Sequence, residues 1–277
     1  MIFGVAVALT DRSATPDQVA RLVEDRGLES LFVTEHTHVP VAADRLAPQG
    51  FPDAYRRTLD PFVALTAAAA ATTRLRLGTS VLLAAQHEPL VTAKAVASLD
   101  VLSGGRVELG VGAGWLEPEM VAHGVDPQRR GARLREHVEA MRRLWRDDVA
   151  SFTGEHVHFH EVWSWPKPVQ AGGPRVWLGA DGPAGPGRAA QWADGWMTRE
   201  PAVPSVRRRI RALAEACAAL GRARLPVTVY NCATDPGSLE AYRDLGVTRG
   251  LVRLPSGSCD DLARALDALP APVYHPA

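Results

Sequence analysis

The chain has 277 residues, 46% of them hydrophobic, a formal net charge of zero and a pI near 7.1: enough apolar material for a core, and no charge excess to draw nucleic acid or an anionic membrane. Cys217, Cys232 and Cys259 are scattered with no C-x-x-C, which argues against disulfides and zinc clusters and for a reducing cytoplasm. Met1 runs straight into a strand pattern, so neither a signal peptide nor a transmembrane helix is expected.

Ile2 to Leu9 reads as the first strand. Thr15, Pro16 and Gln18 then open a helix as N-cap, first-turn proline and capping-box partner, with Val19, Leu22 and Val23 as its buried stripe and Gly27 at its end. Ser30 to Thr34 is the second strand, and Glu35, His36, Thr37 and His38 follow it. Residues 39–58 carry prolines and charges without a period and read as a long loop. Asp60-Pro61 restarts a helix to about Thr72, Leu75 to Val81 is the third strand, and Pro89 opens the helix that ends at Gly104.

Arg106 to Val111 is the fourth strand, apolar enough for burial on both faces as in a parallel sheet. It runs into Gly112-Ala113-Gly114, where small residues let backbone N–H groups approach a ligand or simply make a tight turn. Arg130 to Arg146 is an amphipathic helix with Leu134, Val138, Met141 and Trp145 on one stripe. Residues 150–170 break the rhythm: Phe152 to Glu161 reads as a surface hairpin and Trp163 to Pro168 leads back in. The strands resume at Val176 to Gly179, Gly195 to Thr198, Pro226 to Asn231 and Arg249 to Leu254. The helices between and after them are Pro183 to Ala193, Pro204 to Leu220, Pro236 to Leu245 and Asp260 to Leu269.

Eight strands alternating with helices is the count of a (β/α)8 TIM barrel, here one domain over residues 1–277 with a short hairpin insertion. The rival is a doubly wound open sheet. Gly110 to Gly114 spells G-x-G-x-G, however, and Pro118 and an acidic loop separate it from any helix, so the dinucleotide fingerprint fails.

A barrel places its site at the C-terminal ends of the strands. That filter selects Glu35 and His36, then Thr79, Ser80 and Val81, then Gly112 to Trp115, Ala180 to Gly182, Arg199 and Asn231. The set is rich in glycine and holds no carboxylate pair, metal-ligand cluster or Ser-His-Asp series, so a bound cofactor is expected to do the chemistry. His36 is the one member with acid–base range near neutrality, against the plainer reading of a core or capping histidine. Asp181-Gly182-Pro183 can open a helix that holds an anion at its N-terminus, or Asp181 can be its cap. His156, His158 and His160 alternate on the hairpin, away from the rim, and no metal site is expected of them; Arg207, Arg208 and Arg209 read as a solvated helix face.

Four stretches together resemble the luciferase-like monooxygenase superfamily, and within it the actinobacterial oxidoreductases that use the deazaflavin coenzyme F420. They are Ser30-Leu-Phe-Val-Thr-Glu-His36, Leu75-Arg-Leu-Gly-Thr-Ser-Val81, Leu99 through Trp115, and Trp177-Leu-Gly-Ala-Asp-Gly-Pro183 with Ala193-Asp-Gly-Trp196. The resemblance implies a (β/α)8 barrel with F420, or alternatively FMN, at the C-terminal rim. His36 would lie beside the ring as proton donor or acceptor. Ser80 and Val81, joined by a cis peptide, would form a bulge behind it. Glu35 and Gly112 would belong to the same cofactor site, and Ala113, Gly114, Ala180, Asp181 and Gly182 would surround the ribityl and phosphate groups. Two departures stand out: Trp115 replaces the glutamate proton donor of the sugar-phosphate dehydrogenases, and Asp181 stands where many relatives have glycine. The expected activity is hydride transfer between F420 and a small organic substrate. The alternatives are an FMN-dependent monooxygenase or a non-catalytic flavin-binding barrel. A homodimer is also expected, with weak support from the alanine-rich helix over 64–71.

Overall fold

The computed structural model describes residues 1–46, 51–270 and 273, with the backbone alone at 44–46. Eight parallel strands close a barrel: β1 (Ile2–Val7), β2 (Ser30–Val33), β3 (Arg76–Thr79), β4 (Val107–Val111), β7 (Arg175–Gly179), β8 (Gly195–Thr198), β9 (Val227–Tyr230) and β10 (Arg249–Arg253). Around the ring each strand pairs with its sequence neighbours, and β1 closes against β10. The remaining pair, β5 (Ala150–Thr153) and β6 (His158–Val162), is an antiparallel hairpin between β4 and β7. The single barrel and the hairpin insertion agree with the sequence reading.

The outer ring consists of α1 (Pro16–Asp25), α3 (Pro61–Ala71), α4 (Pro89–Ser103), α6 (Arg130–Arg146), α7 (Gly185–Trp192), α8 (Val203–Ala219), α9 (Pro236–Asp244) and α10 (Cys259–Asp267). The cap-and-proline devices work as read. Asp60 accepts from the Phe62 and Val63 amides at 2.9 Å each. Glu88 does the same for Leu90 and Val91, and Gly104 closes α4 in the left-handed conformation at φ 68°.

Two helices appear where the sequence showed no period. Within the loop expected over 39–58, α2 (Val41–Leu46) and a 3-10 turn (Asp53–Arg56) form, while residues 47–50 of that loop lie outside the described residues. After the glycine turn comes α5 (Glu117–Ala122), too short to show a hydrophobic repeat. Helix α7 begins at Gly185, two residues later than Pro183, because Asp181 is drawn to the neighbouring loop and leaves the helix uncapped.

The N-terminal end of the barrel is plugged by charge. Arg249, 3% exposed, donates to both oxygens of Glu29 at 3.0 and 2.8 Å, and Arg76 and the Trp177 indole donate to Glu108. The Arg249 guanidinium also lies over the rings of Phe32 and Trp177, at 5.3 and 5.1 Å from their centroids. Glu108 is the polar side chain that the inner face of β4 carries ahead of Gly110 and Gly112. Above this plug Phe32, Trp177, Met197, Leu251 and Ala6 fill the lumen, so only the C-terminal mouth is open to a ligand.

Candidate active site

His36 leaves the end of β2 and is fixed on several sides. Its backbone N–H donates to the Thr58 hydroxyl at 3.2 Å, and that hydroxyl donates back to the His36 carbonyl at 2.7 Å. Its Nδ1 meets Glu119 Oε2 at 2.9 Å; a carboxylate there accepts, so Nδ1 carries the proton and Nε2 is left for chemistry. Tyr55 stacks on the imidazole with centroids 5.0 Å apart, and Trp115 meets it edge-on at 5.8 Å. Glu119, fully buried on α5, also accepts from the Thr37 amide at 3.0 Å. The Thr37 hydroxyl in turn meets His123 Nε2 at 2.7 Å. Burial and the nearby His38 hold His123 below its ordinary pKa.

Sequence reasoning missed Glu119, Tyr55 and Thr58. A signal for Glu119 was present: Leu116-Glu-Pro-Glu119 repeats the proline-led helix start that was recognised at Asp60-Pro61.

Glu35, expected at the cofactor, has both carboxylate oxygens committed to protein. It accepts from the Leu83 amide at 2.6 Å and pairs with His87 Nε2 at 2.6 Å. Burial pulls the His87 pKa down, the Glu35 hydrogen bond pulls it up, and the net is upward. Glu35 therefore anchors the segment just beyond β3 and holds the rim from behind.

That segment contains the cis peptide Ser80-Val81 at the step expected. The ladder resumes beyond it, since the Leu82 amide donates to Gly110 O at 2.8 Å and the Gly112 amide to Leu82 O at 2.9 Å. Val81 occupies the space that side chains on β4 and β7 would need. A Cβ on Gly112 would come within 2.5 Å of Val81 Cγ2, and one on Gly179 within 2.7 Å of Cγ1. The absence of a side chain at Gly112 is thus explained by packing against Val81. Gly114 takes φ 82°, as a tight turn requires, beside the Gln86 amide.

Asp181 caps nothing. It accepts from Thr198 Oγ1 at 2.9 Å and from the Arg199 amide and Nε at 2.8 Å each, and Arg209 lies at 3.4 Å. Ala180 O accepts from the Trp196 indole at 3.0 Å, and Gly182 opens onto free space. Asn231 ends β9 with φ 54°. Among the described residues no group of three or more His, Cys, Asp or Glu side chains is placed to hold a metal ion, and His158 and His160 are exposed on β6.

The closed parallel barrel carries the pinned imidazole of His36 at a glycine-lined mouth, where a barrel enzyme places its active site. The family model for luciferase-like monooxygenases matches residues 11–252, and the chain belongs to that family. An uncharacterized protein of Mycobacterium tuberculosis is 42% identical over 281 residues, 98% of each chain. An F420-dependent glucose-6-phosphate dehydrogenase of Kineococcus radiotolerans is 32% identical over 177 residues, 63% of this chain and 49% of its own length. The crystal structure of the monooxygenase RslO1 from Streptomyces bottropensis shares the fold, with a TM-score of 0.79 at 22% identity over 96% of this chain and 97% of its own. Members of the family are F420- or FMN-dependent oxidoreductases and monooxygenases, and this chain is a luciferase-like oxidoreductase.

Proposed function

We propose that the chain transfers a hydride between coenzyme F420 and a small organic substrate, with His36 moving the accompanying proton. The observation that carries this is the His36 imidazole, held at Nδ1 by Glu119 with Nε2 left for a reacting atom. No protein side chain accepts a hydride, so the redox step needs a bound group; the deazaflavin ring supplies the two-electron acceptor. The chain's own residues bind it, orient the substrate and hold the proton.

The mouth fits such a group. The Ser80 hydroxyl and both ends of the Gln86 amide, which lies beside Gly114, are buried without a hydrogen-bond partner among the described residues. Ser80 and Val81 would back the ring, supported from behind by Glu35 and Gly112. Ala113, Gly114, Ala180, Asp181 and Gly182 would flank the ribityl and phosphate groups. A lone Asp181 would repel a phosphate. Paired with Arg199 and Arg209 it leaves that edge net positive, which favours an anion.

An FMN-dependent monooxygenase is the second reading, supported by the flavin-dependent trigonelline monooxygenase among the relatives. Titrating the purified protein with F420 and with FMN, followed by cofactor fluorescence, separates the two. F420 is expected to bind more tightly. Failure of both at micromolar protein would leave a non-catalytic barrel.

The same reading takes the protein as a cytoplasmic homodimer. Its three cysteines are unpaired, and no helix among the described residues is long and apolar enough to cross a membrane. Val63 on α3 and Val91 and Leu102 on α4 are about two-thirds exposed, an apolar face suited to a second copy.

A further inference from the structure

Across the mouth from the glycine turn, a cavity of ≈ 210 Å³ opens between the ends of β1, β2, β9 and β10. Thr34, Tyr55, Tyr230, Arg253 and Ser256 line it, and no acidic side chain does. Two acids of the adjoining loops are already engaged: Asp53 pairs with Arg12, Arg56 and Arg57, and Asp11 with Arg57. Thr34 Oγ1 is buried with no hydrogen-bond partner, and the Arg253 guanidinium has no ion-pair partner, in both cases among the described residues. Burial pushes the Tyr230 hydroxyl up against the pull of Arg253, so it stays protonated and can donate. The wall therefore presents hydroxyl groups and one cation and no carboxylate. Tyr55 joins this wall to the site, because the same ring stacks on His36.

We propose that the substrate is a small organic acid, a hydroxy- or oxo-carboxylate, whose carboxylate is held by Arg253 with the Tyr230 and Thr34 hydroxyls. The planar guanidinium fork matches a carboxylate with two parallel hydrogen bonds. The small volume suits a substrate of few heavy atoms, and the carboxylate end leaves the reacting carbon toward His36. In the oxidative direction the carbinol hydrogen would leave with the two electrons of its C–H bond to a bound deazaflavin, the O–H proton would pass to His36 Nε2, and the carbon–oxygen single bond would become a carbonyl. This assignment rests on the hydride-transfer reading for its chemistry but not for its binding.

The test uses two isosteric probes, cyclohexanecarboxylate and cyclohexanecarboxamide, titrated calorimetrically into the F420-loaded protein and into the protein alone. The carboxylate is expected to bind about 10- to 100-fold more tightly than the amide, the range for losing charge-assisted hydrogen bonds. Arg253→Gln should remove that preference and Arg253→Lys should restore part of it, with Tm and F420 affinity unchanged because the side chain is exposed. Equal binding of the two probes, or a preference that survives Arg253→Gln, overturns the proposal. So does Arg253-dependent binding of inorganic phosphate without binding of the carboxylate, which would assign the wall to a phosphoryl group. If F420 fails to load while the carboxylate still binds through Arg253, the cofactor reading falls and this one stands.

Discussion

The imidazole of His36 and the carboxylate of Glu119, 83 residues apart in the chain, meet at 2.9 Å where Glu119 is fully buried. Glu119 comes from the short helix after the glycine turn and His36 from the end of β2, so the pair spans two βα loops. A carboxylate on Nδ1 selects the tautomer and fixes the ring plane, which directs Nε2 to one place. Replacing either partner tests this. His36→Ala should lower turnover about 10²- to 10⁴-fold with cofactor affinity little changed, the usual loss for a proton-transfer group. Glu119→Gln should cost less, ~10- to 100-fold in kcat, since Gln can still accept from the Thr37 amide. Glu119→Ala orphans buried donors on both His36 and Thr37 and should destabilise by about 1–3 kcal/mol for each. Steady-state kinetics and thermal unfolding of the three variants decide it, and unchanged turnover in His36→Ala would make the histidine structural.

Gly112 and Val81 share one space. Gly112→Ala should cost roughly 1–3 kcal/mol by overpacking and weaken cofactor binding, because the new methyl group drives Val81 from its place. Val81→Ala removes the obstructing methyl groups, so the double variant should unfold at higher urea than additivity of the single variants predicts. Gly110→Ala should be worse than Gly112→Ala. Its Cβ would meet the Thr79 backbone oxygen at 2.0 Å, and that oxygen cannot rotate away.

Asp181 sets a pH dependence. Burial alone would raise its pKa, but the hydrogen bonds from Arg199 and Thr198 and the Arg199 charge outweigh burial and hold it below the usual 3.8. Because the folded value is the lower one, this stabilisation is fully present above about pH 4 and is lost as pH falls through the folded pKa. Asp181→Asn should lower Tm at pH 7 by about 2–4 °C, equivalent to ~1 kcal/mol once the exposure of Arg199 is discounted. The Tm gap between wild type and variant should close on acidification. A gap that stays constant from pH 7 to pH 3 would contradict this account.

The α3–α4 face gives the assembly prediction. Light scattering should report twice the 29.8 kDa of one chain. Val91→Glu with Leu102→Glu should produce a monomer that stays folded, because both side chains point outward. A wild-type monomer at working concentration would remove the dimer from the reading.

The barrel itself was legible in the sequence. Alternating strand and helix periods, proline-led helix starts such as Asp60-Pro61 and closing glycines such as Gly104 are local signals, and each acts over a few residues. The rim positions followed from them, since a barrel strand's end can be counted along the chain. What stayed hidden depended on side chains distant in sequence. Glu119 lies on a helix too short to show a period and becomes meaningful only when the β2 and β4 loops converge. Gly112 has the same composition whether it faces a ligand or Val81, and only the packing of Val81, beyond β3, against Gly112 and Gly179 distinguishes the two. Asp181 before Pro183 read either as part of an anion-holding helix start or as a cap, and in the fold its carboxylate turns to Arg199 and Arg209 instead of capping the helix. The sequence by itself determined the elements, their order and the end of the barrel where a site must lie, because backbone propensity and burial period are properties of neighbouring residues. The tertiary structure decided which side chains at that end hold one another and which stand free, because contact energies act across the closed ring between residues that the chain keeps far apart.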